Sequence, residues 1–208
     1  MQGMEKKTRA SVKNILSSSS NLSDRYIPDY KVLKETVDQL KNMGYKIVLT
    51  QGVYDMLHEG HAHYLEKARS LGDILLLGVD SDELTRKRKG PNRPVVPEQE
   101  RLQMLAHLRS VSMLTLRHAR DPIGKLIRTV RPDILVTSTS TKDFNKKDQF
   151  AEYEEYCGEI VVLPPQAATS TTARVRELTI SGADQLAGEI MRQIPQLVKN
   201  ALDALQNA

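Results

Sequence analysis

The chain has 208 residues, 39% of them hydrophobic and 27% charged, which suits one well-filled domain with extensions and is too short for two full ones. No apolar run approaches the ~20 residues of a membrane helix. The N-terminus lacks the apolar core of a secretory signal, and a lone Cys157 excludes an internal disulfide framework or a cysteine-rich metal site, so an intracellular, cytoplasmic protein is expected. The net charge of +4 favours an anionic partner without separating a nucleotide from nucleic acid or a membrane surface.

Residues 1–25 are polar, contain the run Ser17-Ser18-Ser19-Ser20 and show no sustained apolar period, which predicts a flexible tail. From Asp29 to Met43, the positions Val32, Leu33, Val37, Leu40 and Met43 mark an amphipathic helix that Gly44 ends. A short apolar strand follows at Ile47, Val48 and Leu49 and is broken by Gly52. The run Gly52-Val53-Tyr54-Asp55-Met56-Leu57-His58-Glu59-Gly60-His61 then leads into a helix carrying Tyr64, Leu65, Ala68 and Leu71. Two imidazoles three positions apart therefore stand at a strand-to-helix mouth. A helix start offers unpaired N–H groups and partial positive charge, Gly60 removes a side chain that would keep a phosphate away, and imidazole adds donors. A lone histidine there would read as a helix cap; two of them flanking a glycine point to phosphate chemistry.

Ile74–Val79 is a second buried strand, ended by Asp80 and Ser81. Arg86-Lys87-Arg88-Lys89 reads as a basic loop after it. Pro97-Glu98 starts a helix with Leu102, Met104, Leu105 and Leu108, and Val111–Leu116 is a third strand. Asp121-Pro122 starts another helix that must end before Arg131-Pro132, and Ile134–Val136 is a fourth strand. After a polar stretch holding Tyr153 and Tyr156, Ile160–Leu163 forms a fifth, stopped by Pro164-Pro165. Finally, Ala183–Leu205 carries Leu186, Ile190, Ile194, Leu197, Val198, Ala201 and Leu205 on one helical stripe, with Pro195 as an expected kink or break.

Alternating helices and aliphatic strands imply a doubly wound α/β fold, a parallel five-stranded sheet with helices on both faces. Ligands of such sheets bind beyond the carboxyl ends of the strands, where the winding reverses, and the two histidines lie at that edge. The organisation expected is a tail over 1–25, one domain over 26–181 and a C-terminal helix over 182–208 that packs on the domain or on a second subunit.

The Gly52–His61 run, with Tyr64-Leu65 beyond it, resembles the signature of the cytidylyltransferase-like nucleotidyltransferases, whose fold is Rossmann-like. Lys89-Gly90-Pro91-Asn92-Arg93-Pro94 ahead of Glu100-Arg101, together with Ser170-Thr171-Thr172, looks most like the heptose 1-phosphate adenylyltransferase and glycerol 3-phosphate cytidylyltransferase branch. The likeness runs from about Asp29 to Arg176. It implies transfer of AMP or CMP, with adenylyl favoured, from a nucleoside triphosphate to a small phosphorylated sugar or polyol, by in-line attack and with release of pyrophosphate. Such chemistry works by positioning and by donors aimed at phosphoryl oxygens. The resemblance implies that His58, His61 and Lys89 are the catalytic groups. It implies that Gly52, Val53, Tyr54, Asp55, Gly60, Arg101, Ser170, Thr171 and Thr172 bind the nucleotide, with Arg109 and Arg174 less closely matched. It also implies Mg²⁺, held largely by the substrate phosphates, and a homodimer. The chain departs from the family at Thr137-Ser138-Thr139-Ser140-Thr141, where a Gly-Asp pair is usual, at Val111-Ser112 in place of Val-Asp, and at Gln51 in place of Asn or Tyr. These departures bear on the acceptor and the base.

Two other classes of function compete. His58, His61 and His63 could form a metal site in a regulatory protein, since imidazole suits zinc and nickel, although His63 should point elsewhere and no cysteine assists. Arg86–Lys89 could contact nucleic acid, but aromatic residues are 4% of the chain and none interleaves the run, so stacking on bases is poorly supported and no nucleic-acid partner is expected.

Overall fold

Five aliphatic runs become five strands: β1 Ile47–Gly52, β2 Ile74–Asp80, β3 Met113–Arg117, β4 Ile134–Ser138 and β5 Glu159–Leu163. In this computed structural model the described residues are 12–17, 19–139, 147–164, 166 and 171–206. The strands pair in parallel in the order β3-β2-β1-β4-β5. From β1 the chain steps one way to β2 and β3, and later returns to the other side of β1 to lay down β4 and β5. The winding therefore reverses between β1 and β4, as expected from the alternation.

The helices are α1 Val12–Ile15, α2 Leu22–Arg25, α3 Tyr30–Asn42, α4 Glu59–Arg69, α5 Asp82–Lys89, α6 Glu98–Ala106, α7 Lys125–Val130, α8 Lys147–Glu154 and α9 Thr171–Gln206. Strands β1, β2 and β4 are apolar on both faces because both are covered. On one face, Leu33, Val37 and Leu40 of α3 and Leu126, Ile127 and Val130 of α7 pack with Ile47, Leu49, Leu76 and Leu135. On the other, Leu65 and Ala68 of α4 and Leu102 and Leu105 of α6 pack with Val48, Leu75, Leu77 and Val136. Asp29 caps α3 by accepting the N–H groups of Lys31 and Val32.

The sequence expectation needs correction in four places. Residues 12–17 and 19–25 are not a tail: Ile15 is 4% exposed within the first core cluster. Arg25 donates to the carbonyls of Ala106 at 2.7 Å and Val111 at 3.0 Å. The chain then runs directly into a bridge, with the Ile27 N–H donating to the Leu114 carbonyl at 2.8 Å. Residues 1–11 lie outside the described residues. Secondly, Arg86–Lys89 is the last turn of α5, capped by Ser81, whose hydroxyl accepts the Leu84 N–H. Acidic residues in its first turn and basic ones in its last match the helix dipole. Thirdly, the polar stretch before Tyr156 contains α8. Fourthly, α9 is one helix that runs through residues 181 and 182, where a boundary was expected. Pro195 lies within it, forgoing one backbone bond without ending it. The compact units divide after Ala168. Among the described residues no helix is long and apolar enough to cross a membrane.

The placement of residues 12–17 and 19–25 in the folded domain has a direct test. Ile15→Ala should lower the unfolding free energy by about 2–4 kcal/mol in urea melts, the usual cost of truncating a buried isoleucine. A tail would show no change.

Candidate functional site

The turn from β1 into α4 leaves the sheet at its carboxyl edge beside β4, at the reversal point. Two non-glycine residues in it adopt positive φ, Tyr54 at 54° and Met56 at 47°, conformations that survive only where surroundings over-determine them. Tyr54, 5% exposed, is locked into the core on the α4 side.

His58 is the N-cap of α4, and its Nδ1 accepts the Gly60 N–H at 3.1 Å. That bond assigns the neutral-ring proton to Nε2, on the opposite side of the imidazole. The capping and functional readings of this histidine thus coincide, and Gly60 spends its N–H on His58 instead of presenting it to an anion. The His61 ring lies 4.0 Å from that of His58, centroid to centroid, and meets Tyr54 edge-on at 5.7 Å. Burial, then the neighbouring His58 and the Lys89 charge, push its pKa down to about 4. His61 is therefore neutral at physiological pH, and its buried Nδ1 has no hydrogen-bond partner among the described residues.

Lys89 stands at the end of α5, near enough for its charge to help lower the His61 pKa. Its residue remains open to solvent. Partial burial, followed by the Arg93 and Arg88 charges, holds its pKa below the ordinary value. Gly90 follows with φ +98°, a conformation open to glycine, and turns the chain off α5 toward Arg93.

Other residues carried over from the resemblance take different places. Asp55 is 3% exposed and faces backbone: its carboxylate accepts the Val95 N–H at 3.0 Å and the Val96 N–H at 2.9 Å, and pairs with Arg93 at 3.2 Å. Arg101 is 1% exposed. It donates to the carbonyls of Val53 at 2.5 Å, Asp80 at 2.9 Å and Val96 at 2.9 Å, and to the Asp82 carboxylate at 2.7 Å. A buried guanidinium with these four bonds holds loops together instead of facing a nucleotide. Gly52 and Val53 lie at the exit of β1, and a Cβ at Gly52 would stand 3.2 Å from the Tyr54 ring. Ser170 lies outside the described residues; Thr171 and Thr172 open α9.

His63 is turned to solvent, 3.6 Å from Glu66. Among the described residues no three His, Cys, Asp or Glu side chains come together as metal ligands, so the three-histidine metal site is not formed. Burial raises the Cys157 thiol to about 11, in keeping with an inert cysteine. Thr137, the penultimate residue of β4, has a buried hydroxyl with no partner among the described residues. Ser140 and Thr141 of that departing stretch lie outside them.

Sequence reasoning missed Asp80, Arg88 and Arg117. Asp80 closes β2 with no exposure and accepts from Arg88 at 2.7 Å and Arg117 at 2.8 Å. An aspartate closing an aliphatic strand was the available signal, because a charge at the end of a covered strand needs a partner.

A family model described as cytidylyltransferase-like matches residues 49–178. The chain is 39% identical over 150 residues to the bifunctional protein HldE of Desulfatibacillum aliphaticivorans, covering 70% of this chain and 29% of that protein. It is 36% identical over 169 residues to HldE of Helicobacter pylori strain P12, covering 81% and 34%. It thus spans about a third of the length of these relatives. Among solved structures, a lipopolysaccharide core biosynthesis protein from Thermoplasma volcanium GSS1 aligns at a TM-score of 0.54 and 30% identity, over 60% of this chain and 100% of that one. A pantoate-beta-alanine ligase from Francisella tularensis, at a TM-score of 0.53 and 18% identity over 69% of this chain and 67% of that one, shares the fold.

If Arg101 is a clamp, Arg101→Ala should cost about 3–5 kcal/mol in chemical denaturation, because it strands three buried carbonyls and a carboxylate. A variant of unchanged stability that loses only nucleotide affinity would contradict this.

Proposed function

Because the chain belongs to the cytidylyltransferase-like family, we propose that it is a nucleotidyltransferase, moving AMP in preference to CMP from a nucleoside triphosphate to a small phosphorylated sugar or polyol. The observation that carries this reading is the juxtaposition of His58, His61 and Lys89 at the winding reversal, with imidazoles 4.0 Å apart and the Lys89 charge felt at His61. Two imidazole donors, with His61 neutral, and one cation suit a group that arrives with its own negative charge. The adenylyl preference and the sugar acceptor are supported by the relatedness to HldE.

In this reading a phosphate oxygen of the acceptor attacks the α-phosphorus in line, the bond to the β-phosphate oxygen breaks, and pyrophosphate leaves with both electrons of that bond. No protein nucleophile is required. His58 donates through Nε2–H to a phosphoryl oxygen, His61 supplies its N–H beside it, and Lys89 balances charge on the α- and β-phosphates. Ser170, Thr171 and Thr172 are retained as contacts for the outer phosphates on the strength of the sequence resemblance. Mg²⁺, when bound with the triphosphate, would supply counter-charge to the leaving pyrophosphate. The carboxylates whose charge reaches Lys89, Asp80 and Asp55, accept from arginines and backbone N–H groups. A metal there would accordingly be held by phosphate oxygens.

The family resemblance and the exposed Leu186, Ile190, Ile194 and Leu197 of α9 support a homodimer. A triphosphate substrate and a single free cysteine support a cytoplasmic location, with no nucleic-acid or membrane partner.

The test is pyrophosphate release in a matrix of ATP and CTP against phosphorylated sugars and polyols. One ATP cell should be positive, and His61→Ala should lower turnover in it by roughly 10²- to 10³-fold. No pyrophosphate in any cell, or full turnover in the variant, would overturn the reading.

A further inference from the structure

The mechanism leaves Arg117 without a task. It ends β3 in register with Asp80, and its Nη1 donates to the fully buried carboxylate at 2.8 Å. Its side chain is 19% exposed. That bond uses one of the five N–H donors of a guanidinium, and the others meet no acceptor among the described residues. None of these donors is both buried and unpartnered, so they are open to solvent and available to a ligand, and a planar anion would take them as a pair.

Its direction is given by a glycine. A Cβ at Gly78 of β2 would stand 3.0 Å from Arg117 Cδ and 3.2 Å from Gln51 Cγ. The arginine therefore lies back across the end of β2 toward Gln51 of β1, the strand whose exit carries His58 and His61. The same Cβ would stand closest to Leu126 Cδ2 of α7, so Arg117 runs beside that leucine across the end of β2. Asp80, its anchor, is close enough for its charge to act on Lys89, as Lys89 acts on His61. From β3 to β1 is two strand spacings, about 10 Å, close to the span of a sugar with an anionic group at each end.

We propose that Arg117 is a specificity-determining residue that receives a second anionic group, phosphate or carboxylate, at the end of the acceptor remote from the reacting phosphate. The inference rests on the nucleotidyl-transfer reading and adds a second anionic terminus to the acceptor. Asp80 fixes the guanidinium and leaves its outer edge for the ligand.

The probes are a hexose 1-phosphate, the matching hexose 1,6-bisphosphate and a hexuronic acid 1-phosphate. Each is assayed with ATP for pyrophosphate and titrated calorimetrically onto the full chain. At least one doubly anionic probe should bind and react about 10- to 100-fold better than the hexose 1-phosphate, and the better of the two identifies the group as phosphate or carboxylate. Arg117→Leu should abolish the preference while leaving the KM for ATP within about twofold. Arg117→Lys keeps the contact to Asp80 but loses the flat edge, so it controls for folding and should retain only part of the preference. Equal affinity for all three probes, no binding of either doubly anionic probe, or a preference that survives Arg117→Leu would overturn the inference. Pyrophosphate release with the preference intact in that variant removes this inference alone. Arg117-dependent bisphosphate binding without pyrophosphate from any nucleotide removes the transfer reading and leaves the site standing.

Discussion

A buried guanidinium can persist only if its donors are met, and that of Arg101 is met by the ends of two strands and by the loop ahead of its own helix. Its bonds to Val53, Asp80, Val96 and Asp82 tie the exits of β1 and β2 to the start of α5 and to residues 95–96. Asp55 braces the same junction from the other side, accepting from Val95 and Val96 and pairing with Arg93. Each of these charges would be costly to bury alone. Together they leave the β1–α4 turn and the α5–α6 connection little freedom to move apart. His58 and His61 sit on one of those segments and Lys89 on the other, so the relation between the imidazoles and the ammonium follows from the brace.

The same arrangement sets the electrostatics. Arg88, Lys89 and Arg93 crowd one corner while Asp55 and Asp80 are turned toward arginines and backbone. With burial around it, and then His58 and the lysine charge nearby, His61 gives up its proton at ordinary pH. A corner with a neutral His61 and a positive lysine accepts a polyphosphate without first shedding a bound carboxylate. The incoming negative charge opposes the His58 and Lys89 share of the shift while burial, its larger cause, stays. The strained φ values at Tyr54 and Met56 lie in the turn that carries the histidines, where a fixed backbone saves reorganisation on binding.

The strands were legible in sequence because a sheet covered on both faces must be aliphatic along its length, and β1, β2 and β4 are. The reversal point followed from the alternation, and with it the place of His58 and His61. Helix α5 escaped because its one buried residue is Thr85 and it has no apolar period; its true signals were the Ser81 cap and the ordered charges. Residues 12–17 and 19–25 escaped for a related reason, being held by one buried isoleucine and by the hydrogen bonds of Arg25, which no local pattern encodes. The inward direction of Arg101 escaped because a motif names the residue and not where it points: with Asp55, which fixes the loop, it belongs to the brace around the site. Asp80 and Arg117 were missed because their pairing depends on the register of β2 with β3.

The central claim is that the His58, His61 and Lys89 corner is built for a polyphosphate, with His61 neutral in the free protein and its pKa raised when one binds. The measurement that tests it most directly is an NMR titration of the histidine side chains with and without a non-hydrolysable ATP analogue and Mg²⁺. In the free protein His61 should titrate near its depressed value of about 4, neutral through the range from pH 5 to 8. In the complex the phosphate charge should raise its pKa by a unit or more, so that protons are taken up on binding at mildly acidic pH. A His61 that titrates near 6.5 in the free protein, or one whose titration is indifferent to the nucleotide, would contradict the account.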